Sequence, residues 1–373
     1  MYQKLFSEFI LNNGVTVRNR LAVAPLTLFS SNPDGSINKA EEIFLDKRAA
    51  GIGLYILGAT LVQADGQSFP GQPRAISEVD LPSLQRRADI LKAHGAKAIL
   101  QIHHAGVLAE PSLTGVPATG PSAADGVREL SGAEVQELVD AFARATELAI
   151  RSGHDGVEIH GANNYVIQQF YSARTNRRTD EWGSSLENRM RLALAVTDAV
   201  CAVRRKLNRT DFIIGYRLSP EEPDENGITM TETLALTDEL CKRPLQYLHV
   251  SQRDFDHAAR RGEGAGQPRL KLIHEKIAGR TALIGVGGLV TGEQLEAALA
   301  GGNAEFAAVG KSIMMNPGLG DRLLAGERDS IETEIDPARE DHYFMPDPLW
   351  AMCGQAMSWL PPVKGRPRQK LDE

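Results

Sequence analysis

The sequence predicts an α/β protein built as a single (β/α)8 TIM barrel. Three observations predict it: eight short β-rich runs, a helix-like stretch after each, and near-continuous rather than alternating apolar character within the runs. The runs fall at residues 21–25, 53–58, 98–103, 156–160, 213–218, 246–250, 282–286 and 306–310. Runs apolar throughout are what parallel strands need when both faces are covered. The helical stretches lie at residues 41–50, 81–94, 131–152, 185–206, 231–241, 270–278, 291–300 and 317–325. Capping boxes at Ser131–Glu134, Ser184–Glu187 and Thr291–Gln294 mark three of their starts, each pairing a short hydroxyl with a carboxylate or amide three residues on. A doubly wound open sheet would place a GxGxxG after the first strand, and Ala24-Pro25-Leu26-Thr27 bears no likeness to one. The barrel is expected to occupy residues 1–326.

Three segments exceed a minimal barrel. Residues 105–130 follow the third strand and are rich in Gly, Pro, Ser and Ala. Residues 254–268 follow the sixth, and loops of such length are either functional lids or tolerated insertions. Residues 327–373 form a C-terminal extension whose Trp350, Met352, Met357 and Trp359 predict packing on the barrel or on a neighbouring subunit, with a homodimer as the corollary. The chain carries 41 Lys+Arg against 48 Asp+Glu, a formal charge of −7, which argues against a nucleic-acid or anionic-membrane partner. No apolar run reaches the roughly 20 residues of a membrane span, and the N-terminus has neither the apolar stretch nor the cleavage site of a signal peptide. Cys201, Cys241 and Cys353 are odd in number and widely spaced, which excludes a disulfide framework and a CxxC metal site. A cytoplasmic enzyme acting on a small molecule is the expectation.

Chemistry in such barrels collects at the C-terminal ends of the strands. Gly287 and Gly288 after the seventh strand, with Gly310 and Lys311 after the eighth, predict a phosphate site, because bare backbone N–H groups can approach its oxygens and a cation can neutralise it. Arg217 ends the fifth strand, either as an anchor for an anionic ligand or in a salt bridge to Glu221 or Glu158. His160, Asn163 and Tyr165 leave the fourth strand together, offering two donors for one oxygen and a proton donor beside them. A metal is not expected: the first strand ends in Pro and Thr, and the adjacent His103 and His104 would point to opposite sides of a strand. A Schiff-base lysine would have to be Lys311, which the phosphate explains better.

Four segments carry a resemblance to a known family. Asn19-Arg20-Leu-Ala-Val-Ala-Pro25-Leu-Thr27, Gln101-Ile-His-His-Ala-Gly106, Gly156-Val-Glu-Ile-His160-Gly-Ala-Asn163-Asn-Tyr165 and Asn176-Arg-Arg-Thr-Asp180-Glu-Trp-Gly183-Ser-Ser-Leu-Glu187-Asn-Arg189 resemble the Old Yellow Enzyme family of NADH:flavin oxidoreductases, from about residue 5 to 325. The resemblance implies noncovalent FMN, with NADH or NADPH as hydride donor, and reduction of the C=C bond of α,β-unsaturated carbonyl or nitro compounds. It implies that Pro25, Leu26, Thr27 and Ala59 line the flavin ring and that Gln101 and Arg217 bond its pyrimidine side. Gly287, Gly288, Gly310 and Lys311 would hold its phosphate. His160 and Asn163 would bind the substrate's carbonyl oxygen, Tyr165 would protonate the α-carbon as hydride reaches the β-carbon, and Phe29 would border the substrate.

The chain also departs from the family's commoner pattern. Thr27 stands where many bacterial members have Cys and Phe29 where they have Tyr, so thiol tuning of the flavin is not expected. Lys311 replaces an Arg, keeping the charge without the bidentate fork, and Val107 replaces another Arg. The unusual 254–268 loop and the C-terminal extension can reshape the site for another substrate, which leaves a flavin oxidoreductase of different chemistry (amine demethylase, dehydrogenase or NAD(P)H oxidase) as the alternative. The string from Asn176 to Arg189 reads as structural.

Overall fold

In the computed structural model, which describes residues 2–355 and 357–366, eight parallel strands close on themselves. They are β1 (Leu21–Val23), β2 (Leu54–Leu61), β3 (Lys97–His103), β4 (Gly156–Gly161), β5 (Ile213–Leu218), β6 (Tyr247–Val250), β7 (Ala282–Val286) and β8 (Phe306–Val309). Closure is made by β8 on β1, where Ala307 faces Leu21 and Val309 faces Val23. Helices α1 (Lys39–Ala49), α2 (Leu81–Ala93), α3 (Gly132–Arg151), α4 (Leu186–Lys206), α5 (Met230–Leu240), α6 (Arg269–Ile277) and α7 (Gly292–Ala300) return the chain after the first seven strands. After β8 come two short pieces, α8 (Lys311–Met315) and α9 (Leu319–Leu324), where one helix over 317–325 was expected.

The barrel interior is layered. Its lower half is apolar, with Ile56, Ile99, Ile213, Tyr247, Ile284 and Phe306 packed together. A hairpin of Phe9–Ile10 with Thr16–Val17 lies against this cluster, Phe9 meeting Phe306 edge-on with ring centroids 5.2 Å apart. One pleat higher the inward positions become polar. Gln101 stands opposite Glu158, His160 opposite Arg217, and Arg217 opposite His249. Because side chains alternate along a strand, the parity that buries Ile99 and Ile213 also carries Gln101, His103 and Arg217 inward.

Local signals account for the helices and for the departures. Ser131 and Thr291 make the expected capping boxes with Glu134 and Gln294. The cap of α4 is Ser185, which accepts from the Asn188 backbone N–H, and not Ser184, whose backbone is left-handed at φ +72°. Thr229 makes a further box with Glu232 at the start of α5. Strand β2 runs three residues past the expected end because a bulge between Leu57 and Thr60 re-registers it on β3. Residues 105–130 hold a helical turn, Pro111–Thr114, and a strand pair, Ala118–Gly120 with Val127–Glu129. A buried helix, Val166–Tyr171, follows β4 with no capping side chain to announce it.

The charged string mostly ties elements together. Asn176 donates to the Phe170 and Trp182 carbonyls, Arg178 to those of Pro121 and Leu130, and Arg189 to Glu232. Loop 254–268 is pinned to the exit of β5 by Glu221, which accepts from the Arg260 and Arg261 backbone and pairs with Arg269 at 2.6 Å. In the extension Tyr343, Leu349 and Leu360 are buried, and Arg48 donates to the Tyr343 carbonyl. Residues 356 and 367–373 of that extension lie outside the described residues. Among the described residues no helix is long and apolar enough to cross a membrane.

Candidate active site

The floor of the site is a buried carboxylate. Glu158 is fully buried and accepts from Gln101 Nε2 at 2.7 Å and from His249 Nδ1 at 2.9 Å. Burial alone would raise its pKa, but His249, Arg217 and the Gln101 hydrogen bond outweigh it and hold the carboxyl below the ordinary value. Arg217 has no salt bridge to Glu221, which is committed to Arg269, and none within bonding distance to Glu158 among the described residues. Its Nε is buried with no hydrogen-bond partner, and burial lowers its pKa. Leaving a guanidinium N–H unpaired in the interior costs on the order of 1–3 kcal/mol unless a ligand meets it. Gln101 has given its amide nitrogen to Glu158, so its carbonyl oxygen is the end left to accept. An acceptor and a cation therefore stand side by side above one carboxylate.

Above them lie three rings. His103, His160 and Tyr165 are in mutual contact, with centroids 4.3 Å apart for His103–Tyr165, 5.1 Å for His160–Tyr165 and 5.3 Å for His103–His160. The tautomer of His160 follows from its neighbour. Its Nδ1 accepts the Ala162 backbone N–H at 3.3 Å, so the proton of the neutral ring resides on Nε2. Burial and the nearby His103 and Arg217 push its pKa well below the usual value, so this donor is neutral. Burial raises the Tyr165 pKa, with Ser68 opposing, so the phenol keeps its proton at neutral pH. His103 was not among the expected site residues. It is buried with both ring nitrogens unpartnered, and desolvation brings its pKa down to about 3. The signal for it was its position two residues after Gln101, on the same inward face. His104 faces away and donates to Asp65 at 3.2 Å, which separates the two histidines as the strand alternation requires.

Asn163 follows the β4 exit with a left-handed backbone at φ +57°; its N–H donates to Ser219 Oγ and its Oδ1 accepts from Ser251 Oγ. Pro25, Leu26 and Thr27 leave β1 across the strand end, and Gly58 lets them lie against β2: a Cβ there would sit 2.1 Å from the Leu26 carbonyl oxygen. Leu26, Thr27 and Ala59 line one pocket that also reaches Phe69 and the buried Glu41–Arg87 pair. Phe29 packs edge-on against Phe69 at 5.3 Å and tilts toward Trp359 of the extension at 6.5 Å. On the far side Gly287 and Gly288 take φ of +135° and +68°, which side chains avoid. A Cβ on Gly288 or Gly310 would meet nothing closer than 3.7 Å, whereas one on Gly287 would run into the Asp254 backbone at 2.6 Å, so the rim is open at Gly288 and Gly310. Lys311 donates to the Ser358 carbonyl at 2.5 Å. Among the described residues no group of His, Cys, Asp and Glu could hold a metal ion.

A closed parallel barrel that sets the Gln101 carbonyl beside the buried Arg217, with glycines at the exits of β7 and β8, has the features the sequence led one to expect of a flavin-binding oxidoreductase. The comparisons agree. Residues 4–330 match the model of the NADH:flavin oxidoreductase / NADH oxidase family, and the chain belongs to that family. It is 40% identical over 368 residues to the "Probable NADH-dependent flavin oxidoreductase YqiG" of Bacillus subtilis (strain 168), covering 96% of this chain and 98% of that one. It is 35% identical to the "NADH:fumarate oxidoreductase" of Klebsiella pneumoniae (strain 342), covering 93% of this chain but only 38% of that longer protein. Among solved structures it resembles morphinone reductase in complex with tetrahydroNAD, with TM-score 0.73 and 28% identity over 87% of this chain and 91% of that one. The Old Yellow Enzyme resemblance of the sequence holds, and the protein is an NAD(P)H-dependent flavin oxidoreductase whose flavin is FMN.

The residues present fit that cofactor. The unpartnered Arg217 Nε and the Gln101 carbonyl complement the polar edge of a flavin pyrimidine ring, which has both acceptors and an N–H. The open glycine rim beside Lys311 suits its phosphate.

Proposed function

We propose that this enzyme reduces the C=C bond of α,β-unsaturated carbonyl or nitro compounds. The observation that carries the reading is the neutral His160, whose tautomer is fixed as Nε2–H, in ring contact with the protonated phenol of Tyr165; Asn163, whose Oδ1 is already taken by Ser251, leaves the same strand exit and would supply the second N–H. Bound at Gln101, Arg217 and the glycine rim, FMN would relay a hydride from NAD(P)H to the alkene.

The chain's own residues do the rest. His160 and Asn163 hydrogen-bond the substrate's carbonyl or nitro oxygen and stabilise the negative charge that grows there, which leaves the β-carbon electron-poor. Because His160 is neutral, it polarises this oxygen without transferring a proton to it. Tyr165 holds its proton on Oη until the α-carbon acquires electron density, then donates it. Phe29, in ring contact with Phe69 and Trp359, would give the substrate an apolar border. The name of the Klebsiella relative couples NADH to fumarate, itself a conjugated alkene, which supports this substrate class.

The test is the double variant His160→Ala with Asn163→Ala, assayed with cyclohexenone under steady-state conditions. Removing one donor from such a site costs about 10²–10³ in kcat, so enone reduction is expected to fall at least 100-fold while FMN content stays at the wild-type level. Unchanged enone turnover in that variant overturns the reading.

A further inference from the structure

The two groups that hold Asn163 form a matched pair. Ser219 lies two residues beyond Arg217 at the exit of β5, and Ser251 two beyond His249 at the exit of β6, so both continue the inward parity of strands paired Arg217 to His249. The Asn163 backbone N–H donates to Ser219 Oγ at 2.9 Å. Ser251 Oγ lies 2.8 Å from Asn163 Oδ1, and the Ser219 hydroxyl lies 3.5 Å from the same atom.

These contacts decide which end of the amide faces the serines. A hydroxyl that accepts a backbone N–H still has its own proton to give, so Ser219 and Ser251 both direct O–H groups at one acceptor. With the amide reversed, both serine protons would lose this shared acceptor and both hydroxyls would have to accept N–H in its place. The oxygen of Asn163 therefore lies on the serine side, and the Nδ2 amine, which has no partner among the described residues, is the end left for a ligand.

We infer that Ser251, supported by Ser219, is a positioning residue that sets the polarity of Asn163, so that this side chain presents N–H and not C=O to the reacting substrate. The inference rests on the proposed role of Asn163 as a donor and adds what enforces it. Without Ser251 the amide can turn over about its last side-chain torsion, a broad two-fold rotor. It then offers a carbonyl oxygen to the substrate's carbonyl oxygen, a repulsive contact. The serines consequently favour ligands that present a bare acceptor oxygen and disfavour those that present an N–H or O–H at that point.

The experiment uses the FMN-loaded enzyme with Ser251→Ala, Ser251→Thr, Asn163→Ala and the Ser251→Ala/Asn163→Ala pair. Two readouts are taken: kcat/KM for cyclohexenone, and the dissociation constant of cyclohexanone, the saturated product, by calorimetry. Ser251→Ala is expected to weaken both about 5–10-fold, the worth of one net hydrogen bond. Ser251→Thr, which keeps the hydroxyl, is expected to restore both to within about twofold of wild type. In the Asn163→Ala background the serine change is expected to do nothing, since there is no amide left to orient. An unchanged Ser251→Ala enzyme overturns the inference, and so does an equal loss in the Asn163→Ala background, which would make the serine's role merely structural. The proposed reduction can fail separately: if the wild type does not reduce cyclohexenone, the ketone's dissociation constant across the same variants still decides the role of Ser251. A wild type that binds neither compound overturns both.

Discussion

Glu158→Gln removes a single negative charge from the barrel interior and leaves every atom position nearly unchanged. In the wild type this carboxylate accepts at 2.7 Å from Gln101 and at 2.9 Å from His249. The amide's oxygen can still serve Gln101. Its NH2 would then face the His249 Nδ1–H, and His249 can relieve that clash by moving its proton to Nε2, which is buried without a partner. The hydrogen bonds are thus largely recoverable, but the charge is not. Arg217 is buried and fixed in its protonated state, and Glu158 is the carboxylate whose attraction sustains it. Breaking a direct buried ion pair costs about 3–5 kcal/mol; Arg217 lies beyond bonding distance of Glu158, so that range is the upper bound and a loss of about 2–3 kcal/mol is expected, against a total stability of roughly 5–15 kcal/mol for a typical protein. Urea unfolding of the apoprotein at pH 7, followed by circular dichroism, measures the difference. A destabilisation below about 1 kcal/mol would show that Arg217 does not depend on Glu158, and the description of the site floor would be wrong.

Gly58→Ala places a Cβ 2.1 Å from the Leu26 carbonyl, so the loop carrying Thr27 must move. The purified variant is expected to retain less FMN per chain, and a full complement of flavin with an unaltered visible spectrum would contradict the placement of this loop. Lys311→Ala is expected to narrow the preference of the apoprotein for FMN over riboflavin by about 10–100-fold, the worth of one charged hydrogen bond; an unchanged ratio in fluorescence titrations would remove Lys311 from the phosphate site. Acid should also destabilise the fold through His103 and His154, whose pKa values burial lowers from 6.5 to about 3. Both bind fewer protons folded than unfolded, so the stability they contribute is complete above pH 6.5 and is lost as pH falls toward 3. Each contributes a slope of about 1.4 kcal/mol per pH unit inside that window. Urea midpoints that do not fall between pH 6 and pH 4 would contradict it.

Much of this was legible in the sequence because the barrel repeats one signal eight times. The short apolar runs located all eight strands, their ends marked Arg217 and the His160–Asn163–Tyr165 group for the site, and Gln101 came from the family resemblance. The pairing of Arg217 was not legible, because Glu221 sits four residues away in the chain yet closes on Arg269, across a loop that sequence spacing does not relate to it. Adjacent hydroxyls hid the true cap of α4, since Ser184 and Ser185 differ only in which one adopts a left-handed backbone. The helix Val166–Tyr171 carries no cap, and its burial is settled by contacts far along the chain. The adjacent His103 and His104 suggest a metal ligand first, and only the place of His103 two residues beyond Gln101 points to the site. Ser219 and Ser251 carry no motif at all and matter only because three strand exits bring them to one side chain.

The central claim is that one pocket passes a hydride from a nicotinamide to an activated alkene. An anaerobic visible titration of the purified holoenzyme tests it most directly, first with NADH or NADPH until the flavin band bleaches, then with cyclohexenone. The enone is expected to restore the oxidised band stoichiometrically, and His160→Ala with Asn163→Ala is expected to bleach but not to recover with enone. Bleaching reversed by oxygen alone, with the enone inert toward the wild type, would contradict it.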